Sequence, residues 1–347
     1  DMATLIEDIC REKSLLKLKS LYHQPDLEAT ISELLKNGFI VHRDFIETNQ
    51  PYAIFPKKKM ENGSLINKLR LNVSLACNMK CTYCYVDEKD LPHNDALMSW
   101  DIAKKAIDEF FTLLKQHRHN SCIVRFFGGE PLLNFPVIKR SLDHIQGLKH
   151  NLPVHFILNT NGTLYSQKIA SVLSLHRVGI AISLDGNEKE HNRFRTFKSG
   201  KASYKTITRN IENFLTSGCT LGIETTIGDH NIFGLKGLID QVALWNTTYN
   251  TCMPISLQHL AIINRTDLDT IPVSQKIQKL IVLIEYARQK KVTVNTGMAH
   301  FSINALKGQR NTGRYCRAMG AELCVCPNGN IYPCGALKIK LGTINDF

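Results

Sequence analysis

An α/β fold, a partial (β/α)6 TIM-like barrel, is predicted by three observations. Six strand-like runs recur between residues 69 and 262. Helical periodicity fills the gaps between them. Several of the runs end on small or polar residues, where α/β sheets carry their chemistry. Six βα units in succession imply parallel strands joined by right-handed crossovers. Six is short of the eight that close a barrel, so the sheet is a partial barrel or stays open.

The elements divide the chain into three parts. Residues 1–66 hold "QPDLEATISELLKNGFIV", a helix with Pro25 near its start, Gly38 just past its end and an apolar stripe of Ile31, Leu34 and Leu35. "FIV" and "YAIF" follow as short strands. This suits a winged-helix-like module or, equally, a helical preamble packed on the main domain. Residues 67–305 hold the barrel, with strands at 69–75, 122–127, 154–159, 179–184, 220–226 and 255–262. Between them, "WDIAKKAIDEFFTLL" places Ile102, Ala106, Ile107, Phe110 and Leu114 on one helix face, and "YKTITRNIENFL" does the same with Ile207, Ile211, Phe214 and Leu215. Residues 306–347 break the pattern. They are Cys- and Gly-rich, and "CVCPNGNIYPC" reads as a hairpin turning at Pro327-Asn328-Gly329.

Composition narrows the function classes. Hydrophobic residues make up 43% and charged residues 21%, ordinary for a globular protein. No apolar run is long enough to span a bilayer and no secretory signal is present. The net charge is +12, but the bases are scattered, with "KKK" at 57–59 the only short run, which argues against a nucleic-acid surface. The chain has 11 cysteines, an odd number. Without a signal this points to a reducing, cytoplasmic setting rather than a disulfide scaffold. Seven of them fall in two groups, at 77–84 and 316–334, and clustering of that kind points to metal.

Cys77-x-x-x-Cys81-x-x-Cys84 directly follows the first strand. A structural zinc site needs four ligands, so zinc would require a distant fourth. Soft thiolates also suit iron–sulfur clusters, and a cubane held by three cysteines leaves one iron open. With Tyr83 just before the last cysteine, "FFGGEPLLN" closing the second strand, "NTNG" the third and "SLDG" the fourth, the chain resembles the radical S-adenosylmethionine (radical SAM) superfamily. The resemblance implies a SAM-binding 4Fe–4S cluster on Cys77, Cys81 and Cys84. It also implies SAM contacts from Tyr83, from Gly128, Gly129 and Glu130 of the GGE motif, from Ser183, and from Arg195 in "HNRFR". Asn159, with Thr160 and Asn161, would meet the ribose hydroxyls. Asp185 is a further polar group there or a cap of the next loop. "TTIGDHN" at 225–231 lines the adenosine or the substrate. The glycines, lacking side chains, would let backbone approach the ligand.

The second group, Cys316, Cys324, Cys326 and Cys334, reads on its own as a zinc ribbon, as buried thiols or as a cluster site. "GNIYPC" followed by "LGTIND" resembles the SPASM/twitch extension that follows many radical SAM barrels and carries auxiliary 4Fe–4S clusters. Cys316 and Cys334 match its pattern best. Cys324 and Cys326 alternate along a strand and so share a face, which lets at least one reach the same cluster. No cysteine follows Cys334, so either one auxiliary cluster is present or further ligands lie beyond Phe347. Gly335 stands where sulfatase maturases, one branch with this extension, have an Asp that serves as a base. The other large branch crosslinks or epimerises ribosomally made precursor peptides (RiPPs), and there an N-terminal winged helix grips the leader peptide.

The resulting expectation is a peptide-modifying radical SAM enzyme that takes its electron from a flavodoxin or ferredoxin. Its precursor peptide is held by residues 1–66, and no membrane is involved. The alternatives are a radical SAM enzyme acting on a small molecule in cofactor biosynthesis and, in another class, a zinc-dependent nucleic-acid-binding module. Cys10, Cys122, Cys219 and Cys252 are expected to be core or incidental thiols. His93, His191 and His259 are expected to be structural or solvent-exposed. No catalytic acid or base is identifiable.

Overall fold

The computed structural model describes residues 65–84, 96–259, 273–296, 321–335 and 339–346, with Ser32 and Ile271 as isolated positions. The winged-helix reading of residues 1–66 therefore lies outside the described residues, apart from the helical Ser32 and the short stretch 65–66, and so do Cys10, His93 and Cys316.

Among the described residues, ten strands form one sheet. They are β1 (Lys68–Ser74), β2 (Cys122–Gly128), β3 (Val154–Thr160), β4 (Gly179–Ser183), β5 (Thr220–Ile227), β6 (Ile255–His259), β7 (Val294–Thr296), β8 (Glu322–Val325), β9 (Asn330–Tyr332) and β10 (Gly342–Thr343). Their order across the sheet is β10-β9-β8-β1-β2-β3-β4-β5-β6-β7. Every neighbouring pair from β8 to β7 is parallel, whereas β8-β9 and β9-β10 are antiparallel. The six expected strands are thus central. Two further parallel strands flank them, and β7 and β10 end the sheet without joining, as in a partial barrel.

The α-helices whose bounds fall among the described residues are α1 (Trp100–Gln116), α2 (Phe135–Gly147), α3 (Gln167–Leu175), α4 (Glu188–Phe194), α5 (Tyr204–Thr216), α6 (Leu235–Thr248) and α7 (Val273–Gln289). Helix α1 starts where Ser99 Oγ accepts from Ile102 N at 3.3 Å. It buries Ala103, Ala106, Ile107, Phe110 and Leu114. Ala103 thus replaces the expected Ile102, which is only half-buried. In α5 the expected Ile207, Ile211, Phe214 and Leu215 are all buried. Period 2 then divides each strand. Leu69, Leu71 and Val73 of β1, Val124 and Phe126 of β2 and Ile180 and Ile182 of β4 join the helix-facing core. The alternate residues Lys68, Arg70 and Asn72 face the other way, into the barrel.

The cysteine hairpin is joined to that barrel. β8 lies against β1, with Arg70 opposite Cys324. The turn is the expected one: Gly329 N donates to Cys326 O at 2.9 Å and Cys326 N to Asn330 O at 2.9 Å. Gly329 has φ +79°, a conformation that favours glycine. The seam is fixed by Glu322, which lies 2.5 Å from both Lys68 Nζ and Arg70 Nε and is 4% exposed. Glu322→Gln leaves two buried cations without their carboxylate. It is expected to lower the unfolding free energy by about 3–5 kcal/mol, measured by chemical denaturation. A loss below about 1 kcal/mol would mean that the seam does not depend on this pair.

Candidate active site

The loop after β1 carries Cys77, Cys81 and Cys84, and three neighbours fix it. The first is the end of β2. Gly129 N donates to Ser74 O at 2.7 Å and Glu130 N to Ala76 O at 2.8 Å. A Cβ on Gly128 would sit 1.9 Å from Ser74 O, and φ there is +138°. One on Gly129 would sit 2.4 Å from Ala76 O. The glycines were expected to admit a ligand. What they admit here is the backbone of the cysteine loop.

The second neighbour is the end of β3, reached through Glu130. Its carboxylate is fully buried. It accepts from Leu132 N at 3.0 Å, Thr160 Oγ1 at 2.8 Å and Asn161 N at 2.7 Å. Burial nonetheless raises its pKa to about 6, against three hydrogen bonds that lower it. Asn161 Nδ2 in turn donates to Asn78 Oδ1 at 2.8 Å and points at Cys77 Sγ, 3.7 Å away. Asn78 Nδ2 donates to Thr163 Oγ1 at 2.8 Å.

The third neighbour is the segment after α4. Lys80 N donates to Thr196 O at 2.9 Å, Thr82 N to Phe194 O at 3.0 Å and Lys198 N to Asn78 O at 3.1 Å. Tyr83 reaches past this ribbon. Its hydroxyl donates to Asp185 Oδ2 and accepts from Arg195 Nη1 at 2.8 Å. Burial holds its phenol well above the usual range, against the opposing pull of Arg195 and with help from Asp185. Asp185 is not the cap of the following loop, a place taken by Asn187. It is a fully buried hub, with Oδ1 accepting from Thr226 N at 3.1 Å. His230 packs 5.8 Å from Tyr83 and 4.5 Å from Phe194, ring centroid to centroid.

On the inner face of the barrel, Ser183 of β4 stands in register with Glu224 of β5, and Asn159 Nδ2 donates to the Glu224 carboxylate. Glu224 and the hub role of Asp185 escaped sequence reasoning. A usable signal existed for Glu224: the lone charged residue of its strand, at an inward period-2 position between Gly222 and Thr226. The other histidine and cysteine expectations that can be followed agree. His191 is buried, bonded to Asp185 N and Ser203 Oγ, and pushed down to about 2 by burial. Cys122 and Cys219 are core thiols raised by burial to about 12 and about 11. Cys252 is exposed.

In the late group, Cys324 and Cys326 share the inner face, and both are buried. Cys324 hydrogen-bonds Cys326, which holds the Cys326 thiol below and the Cys324 thiol above the ordinary value. Asn72 Nδ2 also donates to Cys326 Sγ at 3.5 Å. Cys334 is half-buried at the far end of the hairpin.

Among the described residues no three His, Cys, Asp or Glu side chains are already gathered around a common metal position. The donor set nevertheless fits an iron–sulfur cluster on the first loop. Three thiols project from one short loop, and Met79 N and Asn161 Nδ2 are aimed at Cys77 Sγ at 3.4 and 3.7 Å, where N–H donors would stabilise a cluster-bound thiolate. SAM fits beside it on orphaned polar atoms. Arg195 Nε and Asn159 Oδ1 are buried with no partner, one a donor suited to a carboxylate and the other an acceptor suited to a hydroxyl.

Comparison with known proteins agrees. Residues 71–241 match the model of the Radical SAM superfamily. The radical SAM cyclopropyl synthase TigE of Paramaledivibacter caminithermalis is 24% identical over 99% of this chain and 72% of its own length. A cysteine-type anaerobic sulfatase-maturating enzyme of Clostridium perfringens is 30% identical over 41% of this chain and 38% of its own. Native anSMEcpe with bound AdoMet superposes with a TM-score of 0.65 at 18% identity, over 81% of this chain and 78% of that one. Streptococcus suis SuiB bound to S-adenosylmethionine gives 0.60 at 14%, over 98% and 78%. At such identities the two structures establish a shared fold.

Two outcomes follow from the geometry. Gly128→Ala forces the ends of β1 and β2 apart. It is expected to cost about 3 kcal/mol or more and to lower the iron bound per chain after reconstitution, read by denaturation and iron assay. Glu130 holds its proton more tightly when folded than the ordinary carboxyl at 4.5 does. Its contribution to stability is therefore present below about 4.5 and lost as pH rises to about 6. Glu130→Gln should remove that decline from denaturation midpoints measured across the interval.

Proposed function

We propose that this chain, whose residues 71–241 form a radical SAM domain, is a radical SAM enzyme that modifies a ribosomally made precursor peptide. The product would carry a crosslink (thioether or carbon–carbon) or an epimerised residue. The observation that supports the enzyme reading most is the three-thiol loop clamped among the ends of β1, β2 and β3 and the segment after α4. When bound, the cluster and SAM supply an electron and a 5′-deoxyadenosyl radical that takes a hydrogen atom from the substrate.

The chain's own residues do the rest. Cys77, Cys81 and Cys84 hold the cluster. Glu130 offers its remaining acceptor site to the methionyl ammonium, and Arg195 Nε meets the carboxylate together with Ser183. Tyr83 contributes from the loop itself. Asn159 accepts from the ribose, and Gly128 and Gly129 keep the loop close enough for all of these to converge. Cys316, Cys324, Cys326 and Cys334 hold an auxiliary cluster. A flavodoxin or ferredoxin supplies the electron.

Support for the peptide reading comes from relatives: SuiB also crystallised with its precursor peptide SuiA, and anSMEcpe with a peptide. Residues 1–66 would hold the leader by strand addition.

Anaerobic incubation of the reconstituted chain with SAM and dithionite should release 5′-deoxyadenosine, and Cys77→Ala should abolish it. No release from iron-loaded protein would sink the enzyme reading. Deleting residues 1–66 should abolish turnover of the precursor peptide while leaving uncoupled SAM cleavage in place. If peptide turnover survives the deletion, these residues do not hold the leader.

A further inference from the structure

The interior of the barrel carries a charge that the SAM site does not use. Period 2 turns Lys68 and Arg70 of β1 inward. It does the same with Arg125 of β2, because Val124 and Phe126 on either side of it are wholly buried in the helix-facing core. Arg125 stands in register between Arg70 and Ile157 of β3, and β1 separates it from the cysteine hairpin. Glu322 of that hairpin engages Lys68 and Arg70. The charge of Arg125 is felt across the wall: burial first and then Arg125 lower Lys68 to about 8, against the pull of Glu322.

The strands further along leave space. The row of Arg125 runs on from Ile157 to Gly179 of β4, and the next inward row joins Asn159, Ala181 and Gly222. At these levels β4 and β5 put nothing larger than a methyl group into the barrel. A Cβ built on Gly179 would meet only Phe156 O within 4 Å, at 3.6 Å, so no side chain from another wall fills that place. Inward residues Ile123, Arg125, Phe127, Ala181 and Glu224 are only half-buried, so the interior is open to a solute. Ile157 precedes Asn159 by two residues, which sets the Arg125 row about 7 Å along the strand from the amide assigned to the ribose.

We propose that Arg125 determines substrate specificity: it receives a carboxylate of the precursor peptide, carried by the residue that reacts or by one beside it. The inference rests on the peptide reading given above. A guanidinium matches a carboxylate with two parallel N–H donors and keeps its charge at any working pH. In a poorly solvated interior that attraction is stronger than on the surface. An amide of the same shape as the carboxylate brings no charge to the cationic wall, so the wall discriminates between the two. The small residues of β4 and β5 give the peptide room to enter, and the spacing to Asn159 keeps the bound carboxylate about one side chain from the reacting centre.

The test is affinity selection. Reconstituted full-length wild-type chain, Arg125→Gln, Arg125→Lys and Arg125→Glu are each equilibrated, with SAM, against a pool of short synthetic peptides. The peptides carry glutamate, glutamine, lysine or leucine at one central position, as C-terminal acids and as amides. High salt screens attraction to the basic surface, and mass spectrometry counts the bound peptides. The wild-type chain is expected to retain glutamate over glutamine peptides about tenfold. Arg125→Gln should lose that preference, Arg125→Lys keep most of it and Arg125→Glu turn it towards lysine. A preference for free acids over amides that vanishes in Arg125→Gln supports the same contact, with the C-terminal carboxylate as its source. Ala181→Glu leaves Arg125 in place but adds a competing carboxylate inside the barrel, and it should also abolish the preference, which keeps the test open if an Arg125 variant does not fold. No preference in the wild-type chain overturns the inference. So does a preference unchanged in Arg125→Gln, which would assign it to the outer surface. A wild-type chain that retains none of the peptides counts against the peptide reading itself, whereas equal retention of all four kinds counts against this inference alone.

Discussion

The approach of the β2 end to the β1 end is the contact on which the site depends. Ser74 O has a glycine against it because no Cβ fits there. That closeness lets Gly129 N and Glu130 N bond the first residues of the cysteine loop. The same turn aims Glu130 inward, where it is fully buried. A buried carboxylate must find donors, and besides its own turn's Leu132 N it takes Thr160 and Asn161 at the end of β3. Asn161, once fixed, presents its amide to Asn78 and Cys77. One steric fact thus propagates through four residues to the first thiol. Each step is enforced by the cost of leaving a polar group unpaired, about 1–3 kcal/mol for a buried donor or acceptor.

The opposite flank of the loop is held differently. Backbone pairing with Phe194, Thr196 and Lys198 gives it strand-like support without side chains. Tyr83 adds a single anchor that crosses to Asp185. Asp185 is tolerated at full burial because it accepts from Tyr83 and from a β5 amide, with the Arg195 guanidinium bonded to the same phenol. The ends of β1, β4 and β5 are therefore joined through one phenol. A loop gripped on both flanks loses little further conformational entropy on binding a ligand, which is what preorganisation requires.

Much of this was legible in the sequence, and what was not has physical causes. The six central strands were visible because each repeats apolar residues, in a run or at every second position, and the helix-facing ones build the core. β7 and β8 were not. They contain three and four residues, too short to show a period, and β8 opens on Glu322, whose charge is matched by Lys68 and Arg70 only after folding. The role of the glycine pair was legible as "no side chain here" but not as against what, since Ser74 lies more than fifty positions away in the chain. Asp185 stayed open between a ligand-facing polar group and a loop cap because its partners, Tyr83 and Thr226, lie on other elements. Motif spacing located Tyr83 and Arg195 separately; only the fold brings them to 2.8 Å.

The inner face of the barrel differs from the helix-facing one in kind. The helix-facing side is almost wholly aliphatic and aromatic, and a barrel centre filled the same way would be core. Here Lys68, Arg70 and Arg125 line the β1–β2 wall, and Asn159, Ser183, Glu224 and Thr226 line the β3–β5 wall. Polar groups of that density are costly in a closed, dry interior. They are economical in a sheet whose ends do not join, because ligand and water can meet them. The open edge and the polar interior are therefore two aspects of one design. The asymmetry between a cationic wall beside the late cysteines and an amide- and carboxylate-bearing wall opposite would orient any bound molecule carrying a dipole or a charge.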